Sequence, residues 1–421
     1  MRRLVKILVA GTMITTPMLL SGVATSQTVV NSGNNTESTA GNTQTQSSDV
    51  GASQTLNVVD VSDATSGVTS STGNNVTGAV VSGTLSVTNS QSVTGDVTAS
   101  TTLNVTTNAG SSVTLNTAST GNTGDIESVD GGGALTATST QTTGAVNVTA
   151  ASDLEAGAAQ AGSISTGTQA ITNSLGLANQ DTSATAITTQ TSAALTDAED
   201  SATVMYTPGT AVFSATAVAN NLTGSGTGNA SQTINATQSS TGALTQAETF
   251  SYLGNGQTVS SAATASDNNI SISNNSAAAQ LTDSQTNTTD TVANANLSSY
   301  EFGSAQATGY GVGNSTLVAN TGSYTGLDNT QDNSGSIQSS SSFTGNNGYD
   351  ATSSATAMGN AATAFACSDC GGAINITNSQ TNSGGVSATS TLSITGANRS
   401  VTGVATAVGN NATFYVSKPS H

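Results

Sequence analysis

Residues 355–360 read Ala355-Thr-Ala-Met-Gly-Asn360, and the chain returns to almost the same words at Ala405-Thr-Ala-Val-Gly-Asn410. Working outward, the closing asparagine recurs at Asn74, Asn122, Asn179, Asn220, Asn268, Asn314, Asn360 and Asn410. A glutamine runs in parallel with it, at Gln46, Gln91, Gln141, Gln190, Gln238, Gln285, Gln331 and Gln380, at intervals of 45 to 50 residues. The Gln-to-Asn offset is 28 to 31 in seven units and 38 in the third, which reads as an insertion there. Two residue classes sharing one register over eight units define a repeat of about 47 residues, within the range of solenoids and arrays.

Apolar positions keep that register. Four residues before the Gln stand Val87, Ile234, Leu281, Leu327 and Ile376, and six after it stand Val97, Leu244, Ile337 and Val386. Further on come pairs at i and i+2: Leu56/Val58, Leu103/Val105, Phe250/Tyr252, Leu392/Ile394 and, slightly later, Tyr300/Phe302. Residues at i and i+2 share one side of a strand, so these pairs predict half-buried strands. The alternation in Val386-Ser-Ala-Thr-Ser-Thr-Leu-Ser-Ile394 and the wealth of Thr, Val, Gly and Asn favour strand over helix. The fold class expected is all-β, a repetitive β-solenoid built from ~47-residue units. Each unit would hold three coils of about 15 residues, with Gly-Asn steps at corners of positive φ and stacked amides between rungs.

The first half shows the loosest pattern, and all thirteen aromatic residues lie between Tyr206 and Tyr415. The expected organisation is therefore residues 1–26 as a signal peptide, 27–205 as degenerate repeats in which partial disorder stays open, and 206–421 as the better-defined repeats. Leu, Ile, Val and Phe together fall below the ~20 % at which a charged chain is usually read as disordered. The shared register is what argues against disorder here.

Arg2, Arg3 and Lys6, the apolar stretch 7–20 and the small residues Ala24-Thr-Ser26 form a secretory signal with cleavage near Ser26/Gln27. Cleavage takes three of the five basic residues and none of the 23 acidic ones, leaving a charge of −21 with only Arg399 and Lys418 basic. Such a surface excludes nucleic acid as a partner and gives no basic patch for anionic membranes.

Catalytic chemistry finds little to work with. The only His is His421, and no Lys or Arg lies between residues 7 and 398. A nucleophile–His pair and an oxyanion clamp are both missing. Asp197, Glu199 and Asp200 are the nearest approach to a paired-carboxylate site and read as a solvated acidic turn. Cys367-Ser-Asp-Cys370 is the only cysteine pair; in an exported chain without other ligands it reads as a structural disulfide stapling an inserted loop. No EF-hand or Gly-Gly-x-Gly-x-Asp pattern occurs, so neither metal nor other cofactor is expected.

The last repeat, Cys367-Ser-Asp-Cys370-Gly-Gly, then Ile374-Asn-Ile-Thr-Asn-Ser-Gln380-Thr-Asn-Ser-Gly384 and Gly403-Val-Ala-Thr-Ala-Val-Gly-Asn410-Asn-Ala-Thr-Phe-Tyr-Val416, resembles the C-terminal end of the holdfast-anchoring protein D (HfaD) family of stalked alphaproteobacteria. The resemblance implies an outer-membrane-associated surface protein, exported through a curli-type secretion pore. It implies large assemblies with a small curlin-like partner, and attachment of the adhesive holdfast polysaccharide to the envelope. It supplies no catalytic residues. The residues themselves point to export, self-association into homo-oligomers and a non-enzymatic role. A curlin-like amyloid matrix protein and an adhesin passenger that needs a separate pore stand as alternatives, the latter because little chain follows the last Gly-Asn.

Overall fold

The computed structural model describes residues 25–31, 37–81, 83–129, 133–275, 277–367 and 372–417. Of the expected signal peptide, residues 1–26, the first 24 lie outside them, and Thr25 and Ser26 belong to the strand Thr25–Asn31, paired with Asn74 and Asn75. Among the described residues every regular element is a strand, and every paired neighbour runs parallel. One face of the molecule is an eight-stranded sheet, from Glu37–Gln46 at one end to Ala373–Asn382 at the other, and each of its strands carries one recurring Gln. The remaining strands form a thirteen-stranded sheet that wraps two further faces. The middle face holds Val50–Asp60, Val97–Asn108 and Asn147–Gln160; the asparagine face holds Ala64–Val80, Ser112–Ser128 and Ile164–Gln180. From Leu195–Thr227 onward, through Leu244–Asn274, Asp290–Asn320 and Ile337–Cys367, a single strand of 31 to 33 residues supplies both faces.

One rung is therefore one whole repeat. Gln238 pairs with Gln285, and Asn268 with Asn314, one repeat apart. The expected subdivision into coils of about 15 residues is not what forms. A column of identical residues recurs only once per 47-residue unit, so only pairing at that spacing stacks like on like. Eight rungs at the ~4.8 Å spacing of paired strands make a column roughly 35 Å tall.

The interior is built from such columns. Leu56, Leu103, Leu154, Ala202, Ser251, Leu297, Phe343 and Leu392 stack in one of them. Val87, Ala137, Ala186, Ile234, Leu281 and Leu327 stack in another, behind the Gln face. Where the middle and asparagine faces approach, the interior narrows to alanines such as Ala198, Ala217, Ala247 and Ala265. Small residues thus set the thickness of the solenoid there.

Several sequence-based placements shift, by one to six residues. Gln44, not Gln46, pairs with Gln91, and Asn173, not Asn179, lies between Asn122 and Asn220. With these residues the Gln-to-Asn offset becomes 29 to 32 in all eight units, and the third unit needs no insertion. Thr245, not Leu244, continues the column of Val97 and Val148. Phe250 and Tyr252 point outward, 40 % and 51 % exposed, because Thr249, Ser251 and Leu253 take the inward positions of that strand. Asp197, Glu199 and Asp200 lie in a strand and not in a turn, with Asp200 fully buried.

The glycines that precede the ladder asparagines do not have positive φ; that conformation occurs at Gly83, Gly110, Gly396, Asp181 and, in the one described Gly-Asn step that shows it, Gly228-Asn229. What the steps need is space. A Cβ on Gly121 would stand 2.5 Å from the Thr172 carbonyl oxygen, and one on Gly359 2.5 Å from that of Gly409. The in–out alternation also slips there, so that residues 267 and 268, for example, are both buried. This slip turns each asparagine inward at the bend of the face.

Candidate functional site: two amide ladders, buried acids and an open rung

Sheet pairing brings the recurring amides into contact. Along the Gln column each side-chain amide donates to the Oε1 of the preceding rung: Gln285 to Gln238 at 2.8 Å, Gln331 to Gln285 at 2.7 Å and Gln380 to Gln331 at 2.7 Å. Along the Asn column each donates to the Oδ1 of the following rung, Asn268 to Asn314, Asn314 to Asn360 and Asn360 to Asn410, all at 2.8 Å. The two ladders therefore run with opposite polarity.

The second N–H of each amide staples the faces together. Gln238 donates to the Asn269 carbonyl and Gln285 to that of Ser315, in each case the residue after the ladder asparagine. Asn268 donates to the Thr286 carbonyl and Asn314 to that of Asp332, in each case the residue after the ladder glutamine. Every buried amide proton in these columns has an acceptor, which is the condition for burying such groups at all. A third column, Asn287 to Asn333 at 2.8 Å and Asn333 to Asn382 at 2.7 Å, escaped sequence reading because Val93, Thr143 and Ser192 hold its earlier positions.

Three carboxyls are buried among these columns. Asp267 accepts from Thr245 at 2.6 Å, from Ser240 at 3.3 Å and from Thr291. Asp200 accepts from the Ser214 N–H at 3.0 Å and from Thr166, and Asp283 accepts from Thr316 at 2.8 Å. Burial pushes each of the three up to about 7, against the pull of those hydroxyl donors. They sit inside the solenoid wall and face no cleft. Among the described residues no group of His, Cys, Asp and Glu could hold a metal ion.

Cys367 is buried and disulfide-bonded at the end of its strand. The other cysteine of the chain, Cys370, lies outside the described residues.

The rung of Ala373–Asn382, Val386–Ile394 and Ser400–Ser417 differs from those between it and the first, because no described strand covers its far side; the first rung is covered only along Asn74–Val80, by Thr25–Asn31. Val401, Phe414 and Val416 pair with Ala351, Ala364 and Ala366, which are buried, yet are themselves 51 %, 38 % and 43 % exposed. Here the ladders stop on an acceptor at Gln380 and a donor at Asn410. The structure thus offers two kinds of surface, an open end that repeats the interior and a lateral wall.

No curated protein and no solved structure matches the chain. The family described as holdfast attachment protein D matches residues 59–338. That stretch begins in the second face of the first rung and runs into the seventh, upstream of the C-terminal motif noted above. It spans most of the buried Gln and Asn columns and more than half of the sequence: the chain belongs to the holdfast attachment protein D family.

Proposed function

We propose that the chain is a non-enzymatic attachment element of the cell surface, exported and held at the outer membrane, which fixes the holdfast polysaccharide to the envelope by stacking end to end with further copies. The observation that carries this reading is the open rung. It presents unpaired strand edges, side chains in columns that are buried in the rungs between the two ends, and amide ladders poised to continue. A strand added there gains main-chain hydrogen bonds and covers apolar surface, as in β-augmentation. Joining one end of a solenoid to the other is a heterologous contact that does not close, so it yields filaments and not a fixed oligomer. A small curlin-like partner would use the same edge, and a curli-type pore would deliver the chain; both come from the family resemblance.

The test is sedimentation of the full mature chain over a concentration series, beside Phe414→Lys/Val416→Lys at the open rung and Ile187→Lys on the exposed wall. Growth into large species by the parent and the wall variant, lost in the open-rung variant, is the expected result. A parent that stays monomeric throughout, or equal growth by all three, contradicts end-to-end stacking.

A further inference from the structure

The lateral wall carries one patch unlike the rest. Phe250 and Tyr252 project from the middle face, and Tyr206, Tyr300 and Tyr349 project from its bend toward the asparagine face, each between 40 % and 65 % exposed. The bend forms an open groove of about 700 Å³ lined by Tyr206, Pro208, Asn255, Glu301, Asn347 and Tyr349. A second hollow of about 380 Å³ holds Phe250 and Tyr252 beside Asn296 and Ser298. Aromatic rings interleaved with amides and hydroxyls in an open trough suit a flat ligand with apolar faces and polar edges.

The charge around the rings narrows the ligand. Glu248 precedes Phe250 by two residues on the same side of its strand, and Glu199 is its partner in the neighbouring rung. Asp153 and Glu155 lie on the same side one rung further, in the columns of Phe250 and Tyr252. Like charge crowds this face: burial together with Glu199 and Glu248 pushes Asp197 up to about 6. The only Lys or Arg among the described residues, Arg399, is already drawn to this bend. It lies 5.9 Å from the centroid of the Tyr349 ring and pairs with Asp350. A cation over an aromatic face, next to a carboxylate, is thus an arrangement this wall makes with its own side chain.

We propose that the flank from Phe250 and Tyr252 to Tyr206, Tyr300 and Tyr349 binds a polysaccharide strand rich in amino sugars bearing free ammonium groups. The pyranose rings lie on the aromatic faces, and the ammonium groups meet Glu199, Glu248 and Glu301. An anionic glycan is repelled by the same carboxylates, and a neutral one forgoes the charge pairing. The inference refines the attachment reading by giving the glycan a place and a chemical class, and it rests on that reading only for its biological setting.

The experiment is calorimetric titration of the full mature chain with a β-1,4-linked glucosamine hexamer, with its N-acetylated counterpart and with a hexuronate oligomer. The variants are Phe250→Ala/Tyr252→Ala and Glu199→Gln/Glu248→Gln, and a thermal melt confirms that these surface changes leave the fold intact. Saturable binding of the glucosamine hexamer is expected, weakened at least tenfold in each variant, with the N-acetylated hexamer at least tenfold weaker and the hexuronate silent. Binding that survives loss of both rings is bulk attraction to an acidic protein and overturns the proposal, as does equal binding of all three oligomers. No binding by a parent that still stacks in sedimentation sinks this inference alone, whereas a parent that binds the hexamer but never stacks sinks the end-to-end reading alone.

Discussion

Gln285 gives one amide proton to Gln238 Oε1 at 2.8 Å and the other to the Ser315 carbonyl at 3.0 Å, while its own oxygen accepts from Gln331 at 2.7 Å. It is fully buried, so Gln285→Leu leaves the Gln238 and Ser315 oxygens unpaired in the interior and the Gln331 N–H with only the longer bond to Thr316 at 3.3 Å. At roughly 1–3 kcal/mol for each orphaned group, the variant is expected to lose about 3 kcal/mol or more. Gln380→Leu, at the open rung where water replaces the lost partners, is expected to cost under about 1 kcal/mol. Urea denaturation midpoints check the contrast, with hydrogen exchange showing whether the loss is confined to neighbouring rungs, as nearest-neighbour stacking requires.

Phe302 packs edge-on against Phe343, with centroids 4.9 Å apart and planes at 86°, and Gly348 leaves the room for its ring. A Cβ at Gly348 would fall 2.3 Å from two atoms of that ring. Gly348→Ala is therefore expected to destabilise by about 1–3 kcal/mol through overpacking. Combining it with Phe302→Ala should recover part of the loss, and a double-mutant cycle of melts reads the coupling.

Stability should fall as pH rises. Asp200, Asp267 and Asp283 move from an ordinary 3.8 up to about 7 on folding, so the folded chain holds protons that the unfolded chain releases. Where the folded state binds more protons, raising the pH lowers the free energy of unfolding. The stability is fully present near pH 4 and is lost progressively toward pH 7. Thermal melts should give a higher Tm at pH 5 than at pH 8, and Asp267→Asn should flatten the slope and raise the Tm at pH 8. A Tm that rises from pH 5 to pH 8 in the parent would show that these carboxyls are not buried as described.

The repeat, its β character and the stacking of amides were legible in the sequence because a buried Gln or Asn must meet a partner of fixed geometry, and stacking like on like provides it. Register within a unit was less legible. Thr43-Gln44-Thr45-Gln46 places two glutamines on one side of a strand, and only pairing with Gln91 selects Gln44. Asn173 follows Thr172, whereas Asn179 follows Ala178 as Asn220 follows Ala219, and that neighbour pointed to the wrong asparagine. Phe250 and Tyr252 looked like core, yet Thr249 and Ser261 satisfy each other inside at 2.5 Å, leaving both rings to the wall. Paired hydroxyls in the interior and aromatics outside invert the usual pattern, and periodicity alone cannot detect the exchange.

That one repeat forms one rung is the claim on which the ladders, the open end and the wall all depend. Ser298 and Thr344 are outward-facing partners in neighbouring rungs. Paired strands hold such residues at roughly 5 Å between Cα atoms, within disulfide reach. The direct measurement is oxidation of Ser298→Cys/Thr344→Cys, with Cys367 and Cys370 left in place and Ser298→Cys/Phe343→Cys as the pair displaced to the inward side. Rapid, near-complete cross-linking of the first pair and little of the second is the predicted result. Failure of the first pair, or efficient cross-linking of Ser298→Cys to a cysteine about 15 residues along at Val312, would contradict the 47-residue rung.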